Sequence, residues 1–424
     1  MSAPDPVDTS TSSDPAGPTR PVVDFDLLDS PTRAKSDGDW EALLDGGCPV
    51  AWSEHNGGMW VVSSYDAIAA VFRDWERFSS ERFDPDRCAI SFSTGKVPLM
   101  LPEEADPPRW YDLRRALAVI LSPQAAERLR PRARYWAHHH LDRVCEQGHA
   151  DLVDDLTVPV PSAVVMEWMG FPEEEWDWFR AAFHGVPAYP NGSPERRKAS
   201  EAYGHVLTRI QEEIAARIAE PRDDILTVLA HHEIDGERVP AEIAHSLAFI
   251  TLTGGVDTTT SLTGAAIAHL ATHPEDRQRL LDDPGLLTTA TEEFLRYYPP
   301  ARTHARTVAV DTEFEGVQMK RGERVCVSEV AAGRDDAAFP DAREFVIDRN
   351  PNRHLSFGVG IHRCPGSHLA RVEFTEMMVA LLERMPDFAI DPDAIVEYPD
   401  WSMAGGYRSL PATFTPSERL GLAD

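Results

Sequence analysis

The sequence predicts a mainly α-helical fold with small β-sheets. Two observations carry that prediction. Long stretches have apolar residues at helical spacing, and the β-rich pieces are few and short. A third observation places the centre of the fold. Residues 240–273 form one long, largely apolar stretch with Pro240 suited to a first helical position and His273-Pro274 suited to a stop. Such a helix is about 50 Å long at roughly 1.5 Å per residue, enough to cross a whole domain. Its faces are apolar or small all round, so it should be buried.

The other predicted helices are 65–74, 108–118, 123–147, 194–219, 285–298 and 369–384. Strands are expected near 59–62, 305–314, 317–319 and 324–328. Turns at Gly316 and Gly322 suggest that the last three form a small meander. Residues 1–22 are rich in Pro, Ser, Thr and Asp and poor in large apolar side chains, which predicts a disordered tail. No later linker, repeat or low-complexity tract divides the chain, so 23–424 reads as a single catalytic domain.

Composition narrows the function. The formal charge is −29, from 41 Lys+Arg against 70 Asp+Glu. A surface of that sign repels phosphate backbones and anionic lipid, which argues against nucleic-acid and membrane partners. Cysteines fall at 48, 88, 145, 326 and 364, odd in number and far apart, as in a reducing compartment. The N-terminus has no basic region followed by an apolar run, and no window reaches about 18 apolar residues. A cytoplasmic location is expected.

The middle of the long helix is unusual. Gly254-Gly255-Val256-Asp257-Thr258 places two glycines beside an acid and a hydroxyl. Each glycine costs a helix roughly 1 kcal/mol. A kink or a close helix crossing would explain the glycines alone. The adjoining acid and hydroxyl favour chemistry.

The richest stretch is His354-Leu355-Ser356-Phe357-Gly358-Val359-Gly360-Ile361-His362-Arg363-Cys364-Pro365-Gly366. Its glycines imply a tight loop. Cys364 lies just before a helix N-terminus, where free N–H groups and the helix dipole favour a thiolate. A zinc site built from His354, His362, Cys364 and His368 is one rival, although no second Cys lies near. A buried structural cysteine is the other.

The run Phe357, Gly358, Gly360, His362, Cys364 and Gly366 resembles the haem-binding loop of the cytochrome P450 superfamily. Other segments agree in order. Glu293-Phe294-Leu295-Arg296 resembles the family's E-x-x-R element. Gly254-Gly255-Val256-Asp257-Thr258 resembles its oxygen-activation segment, in a form similar to the soluble camphor-hydroxylating type. Residues 106–114 resemble its D-P-P-x-H-x-x-x-R stretch, with Trp110 at the usual His. The likeness spans about residues 35–415 and implies the family's triangular fold, with the long helix crossing over haem.

The resemblance implies haem b (iron protoporphyrin IX) with Cys364 as the axial metal ligand. It assigns Asp257 and Thr258 to proton management, and Gly254, Gly255, Phe357 and Gly366 to the cofactor's surroundings. Arg114, Arg306 and His354 are its propionate candidates, and Trp110 retains one N–H donor. Glu293 and Arg296 become a buried clamp, completed by Arg349 or Arg343, instead of a surface pair. Substrate selection is expected in 83–97, 183–189, 249–252, 301–305 and 401–405, with Phe92, Leu252, Thr303, His304 and Met403 as contacts.

No nicotinamide or flavin motif is present. Electrons are therefore expected from a separate ferredoxin and an NAD(P)H-dependent ferredoxin reductase, docking near Arg114, Arg363 and Arg371. The implied function is a haem-thiolate monooxygenase. It would insert one atom of O2 into a mostly apolar small molecule of terpenoid or secondary-metabolite type. The alternatives are a haem-thiolate peroxygenase and a non-catalytic haem sensor or ligand-binding protein. The Asp257-Thr258 pair argues against both.

Overall fold

The computed structural model describes residues 11–12, 20–93 and 97–422. The long helix is Ala241–Thr272, about 48 Å at 1.5 Å per residue. Pro240 precedes it, and Pro274 opens the next helix, Pro274–Asp282. From Thr259 to Leu270 every residue is buried. An amphipathic stripe is absent because the helix is surrounded: Pro159–Met169, Pro194–Ala219 and Ser367–Arg384 all pack on it. Ser367–Arg384 also packs lengthwise along Pro123–Asp142.

A five-stranded sheet stands beside this helical core. Its order is Val50–Ser53, Met59–Val62, Arg324–Ser328, Thr303–Val308 and Phe78–Ser79. Arg324–Ser328 pairs parallel with Met59–Val62 and antiparallel with Thr303–Val308. The expected meander is therefore only half present. Thr312–Phe314 and Val317–Met319 form a hairpin through Glu315 and Gly316, both at positive φ as a two-residue turn requires. Arg324–Ser328 leaves that hairpin for the larger sheet. Its buried residues Val325, Cys326 and Val327 cannot be covered by so short a ribbon.

Several helices were not anticipated. Pro159–Met169 buries nine of its eleven residues and so shows no polar face to set a period. Arg33–Asp45 begins where Thr32 Oγ1 accepts from Lys35 N at 3.3 Å. The expected tail, 1–22, lies largely outside the described residues. Within it, Thr11–Ser12 pairs antiparallel with Arg20–Pro21, and Val22 bridges Trp52, so the chain has joined the sheet before residue 23.

The Glu-Arg element locks the helical core to the approach of the cysteine loop. Helix Leu287–Tyr297 turns Glu293 and Arg296 inward, and both side chains are 0% exposed. Arg296 donates to both Glu293 oxygens at 2.8 and 2.7 Å. Arg349 completes the clamp, its Nε lying 3.1 Å from Glu293 Oε2. Arg343 instead pairs with Asp45 at the surface. Val346 N and Asn352 Nδ2 also donate to Glu293, at 2.7 and 2.9 Å. One carboxylate thus fixes the strand of chain that runs into the loop.

Candidate active site

The loop before Ser367–Arg384 carries Cys364 to the floor of a slot beneath the long helix. Gly358 and Gly360 both take positive φ. At Gly360 a Cβ would stand 2.6 Å from the Phe72 carbonyl oxygen, so only glycine fits. The Cys364 N–H donates to Phe357 O at 2.8 Å and closes the loop.

Two adjoining cavities, of about 290 and 100 Å³, form the slot. Both are lined by Cys364 and Phe357 from the loop, by Gly254 and Thr258 from the long helix, and by Glu103. The helix dipole does not by itself make Cys364 a thiolate. Burial pushes its thiol up to about 11, Glu103 adds to this, and the Gly366 N–H, Arg114 and Arg363 offset only part. A bound cation is what would shift the balance to the thiolate.

Arg306 and His362 line the larger cavity and Arg114 the smaller, with Trp110 packed against His362. Arg306 is buried, and burial lowers its guanidinium to about 10; its Nη1 donates to Ala305 O at 2.8 Å. Burial likewise lowers Arg114, whose Nη2 donates to Arg363 O. Trp110 Nε1 and His362 Nε2 are buried with no hydrogen-bond partner. Trp110 packs edge-on to His362 at 6.0 Å, and Arg114 lies 5.9 Å over its ring. His362 is 3.9 Å from Asp106, too far for a hydrogen bond, and burial lowers its pKa. Such a set of buried donors suits a ligand carrying carboxylates.

His354 does not join this set. Its Nε2 pairs with Glu292 at 3.0 Å and its Nδ1 accepts from Ser356 N at 3.2 Å, so both ring nitrogens are taken. His362, two residues before Cys364 and not singled out as a propionate donor from the sequence, lines the slot. The three histidines of the zinc alternative diverge, and among the described residues no group of three or more His, Cys, Asp or Glu is placed to hold a metal ion. All five cysteines are unpaired.

On the opposite side, Gly254 lines the slot, and a Cβ there would meet nothing within 4 Å. Gly255 lines the smaller cavity too, and its Cβ would stand 3.0 Å from Val165, so it also serves a close helix crossing. Thr258 lines both cavities and donates to Gly254 O at 2.8 Å. Asp257 points elsewhere. Its Oδ1 accepts from Tyr398 Oη at 2.8 Å and lies 3.4 Å from His184 Nδ1.

Of the expected substrate contacts, only His304 lines the slot. Its Nδ1 is 2.6 Å from Glu329 Oε1; burial opposes its charge, but Glu329 outweighs that and raises its pKa. Phe92 packs at the sheet under Arg324, Thr303 donates to Ser402 O, and Met403 faces a separate surface cavity. Leu252 is buried in the core beside the helix Pro194–Ala219. Part of the 83–97 loop, residues 94–96, lies outside the described residues. Two carboxyls were missed. Burial raises the pKa of Glu103 and raises that of Glu373 well above the ordinary range; Glu373 Oε1 has no partner. Glu373 sits in the helix after Cys364, and only the fold shows that its turn faces the slot.

A loop cysteine under a glycine-opened helix, with buried donors for carboxylates alongside, defines a haem-thiolate protein by geometry. The cytochrome P450 family model matches residues 285–397. A steroid C26-monooxygenase of Mycobacterium tuberculosis is 28% identical over 93% of this chain and 100% of its own. The mycinamicin IV hydroxylase/epoxidase of Micromonospora griseorubida is 32% identical over 84% of this chain and 89% of its own. The structure of CYP109E1 from Bacillus megaterium in complex with testosterone superposes with TM-score 0.79 at 27% identity, covering 88% of this chain and 97% of that one. The chain belongs to the cytochrome P450 family. It is a P450 monooxygenase, an oxidoreductase whose family binds haem b through a thiolate.

Proposed function

We propose that this monooxygenase oxidises a mostly apolar small molecule of terpenoid or secondary-metabolite type, works in the cytoplasm and draws electrons from a separate ferredoxin. The observation that carries the site assignment is the slot itself, with Cys364 on its floor and Thr258 above it in one continuous lining. Bound haem supplies dioxygen activation and oxygen transfer to a C–H bond. The chain's own residues do the rest. Cys364 would ligate the iron. Arg114 and Arg306, with the unpartnered Trp110 Nε1 and His362 Nε2, would hold the propionates. Gly254 leaves room beside the helix backbone, and Thr258 holds a hydroxyl there to orient water or donate a proton.

The substrate side is apolar at Ile90, Ile250 and Leu295, with His304 as the polar handle. The steroid and mycinamicin IV oxidations in the relatives' names are compatible with a large ligand. The basic docking face is smaller than the sequence suggests. Arg371 is neutralised by Glu292 at 2.6 Å and Arg114 turns inward, which leaves Arg363 exposed. A ferredoxin would therefore meet only a modest charge patch.

The test is a ferrous–carbonyl difference spectrum of the purified protein beside Cys364→Ser. A red-shifted Soret band that the substitution abolishes is expected. An unchanged band would remove Cys364 as the ligand. A ferredoxin supplied with its reductase should support substrate turnover. Turnover with hydrogen peroxide but not with that pair would favour the peroxygenase.

A further inference from the structure

Asp257 and Thr258 are neighbours on a helix, so their side chains leave it about 100° apart. Thr258 faces the slot, while Asp257 faces a buried phenol and an imidazole. His184 Nδ1 lies 2.9 Å from Tyr398 Oη, and Tyr398 Oη donates to Asp257 Oδ1 at 2.8 Å. The direct His184–Asp257 separation, 3.4 Å, is long for a hydrogen bond. Donor and acceptor roles therefore run in one direction: His184 Nδ1–H to Tyr398 Oη–H to Asp257 Oδ1.

Tyr398 is held rigidly for this role. It is 2% exposed, and its backbone N–H donates to Gly406 O at 3.0 Å. A Cβ on Gly406 would come within 2.5 Å of the Tyr398 ring. Burial and the neighbouring Asp257 push the phenol well above its ordinary pKa, so it stays protonated as a bridge.

The outer end of the chain meets solvent. His184 lines a second cavity of about 630 Å³, with the 52% exposed Trp178 also in its wall. Besides His184 and Tyr189, its ionisable groups are Asp154, Asp177, Arg180, Glu195, Lys198 and Glu201. Four acids against two cations make a mouth that concentrates protons.

We propose that His184 is the proton inlet for the oxygen side of the site and that Tyr398 positions and bridges it to Asp257. The proposal rests on the assignment of proton handling to Asp257 and Thr258. Imidazolium releases its Nδ1 proton to Tyr398 Oη, Tyr398 passes its own proton to Asp257 Oδ1, and the imidazole regains one from water in the outer cavity. Asp257 in turn gives up the proton it has gained toward the Thr258 side of the helix, so no electrons move and His184, Tyr398 and Asp257 each return to their starting protonation state.

The experiment compares His184→Gln, Tyr398→Phe, Asp257→Asn and Thr258→Ala in the haem-loaded protein. Expected for His184→Gln and Tyr398→Phe is an electron-consuming turnover slowed about tenfold or more, within the range of a lost proton-transfer group. Their double variant should be no slower than either alone, and the loss of rate at high pH expected of the wild type should be absent from both. Substrate-induced spectral shifts should be retained. Independently of turnover, the imidazole NMR signals assigned to His184 should change in chemical shift in Tyr398→Phe, which removes the hydroxyl 2.9 Å from its Nδ1. Normal rate and pH profile in His184→Gln and Tyr398→Phe, with Asp257→Asn still slow, would overturn the inlet and leave the Asp257–Thr258 assignment standing. Normal behaviour in all four would overturn both.

Discussion

The clamp offers the sharpest test of whether burial, rather than pairing as such, gives the charges near the loop their importance. Consider Glu293→Gln. The side chain keeps its shape but loses its charge, and two buried guanidiniums lose the carboxylate they share. Arg296 is 0% exposed and Arg349 8%. Both keep carbonyl acceptors, at Ala342 and Glu344 for Arg296 and at Asp341 for Arg349, so the loss is mainly electrostatic. Removing one partner of a buried pair costs about 3–5 kcal/mol. At roughly 2.1 cal/mol/K per residue, a chain of this length unfolds with about 0.9 kcal/mol per degree, so Tm should fall by about 3–6 °C. Arg343→Ala is the control. Its pair with Asp45 is 38% and 64% exposed, which limits the effect to about 0.5 kcal/mol and under one degree. Scanning calorimetry gives Tm, and the Soret-to-protein absorbance ratio gives haem retention. Glu293→Gln should lose both, because the amide NH2 cannot accept, so either Val346 N or Asn352 Nδ2 loses its hold on the chain leading to Cys364. A shift below one degree for Glu293→Gln, or equal shifts for the two variants, would refute the reasoning.

Other expectations are brief. Thr258→Ala should keep haem and substrate binding but release more hydrogen peroxide per NAD(P)H consumed; unchanged coupling in a peroxide assay would remove Thr258 from proton handling. Gly360→Ala, forced toward the Phe72 carbonyl at positive φ, should cost at least about 2 kcal/mol of stability and lower haem content, read by urea unfolding. His362→Phe should weaken haem retention more than His354→Phe, measured by transfer of haem to apomyoglobin; the reverse order would restore His354 as the propionate donor. Glu292 has its pKa lowered to about 2: burial opposes this, but Arg371 and His354 outweigh it. Its contribution is therefore present above its ordinary pKa of 4.5 and lost as pH falls toward 2. Glu292→Gln should destabilise the protein by about 2 kcal/mol at pH 7, with the gap to wild type closing below pH 4.5.

Features written in local sequence were legible. The long helix, predicted over 240–273 and observed as Ala241–Thr272, is bounded by prolines and filled by apolar residues, signals that need no partner. Pro194–Ala219, Met59–Val62 and Val317–Met319 emerged with the expected bounds for the same reason. What failed was non-local. Arg324–Ser328 reads as the third strand of a meander until the distant Met59–Val62 offers it a parallel edge. Arg349 and Arg343 are both arginines in the stretch before the loop, and only the position of Glu293 in space chooses between them.

The different surroundings of the two loop histidines have another origin. His354 and His362 flank one glycine loop, and either could in principle turn toward the slot. The loop's curvature decides. Positive φ at Gly358 and Gly360 folds the chain back so that His362 approaches Trp110, while His354 remains on the outer limb beside Glu292. Glu292 adjoins the clamp acid Glu293, so two consecutive acids on one helix serve opposite directions. Glu293 faces inward to Arg296 and Arg349, and Glu292 reaches His354 and Arg371 on the two sides of the cysteine loop. The loop is thus held at both limbs by one helical turn. A substitution in that turn should disturb the pose of Cys364 more than the substrate wall, to which the same turn gives Leu295 while Ile90 and Ile250 come from other segments.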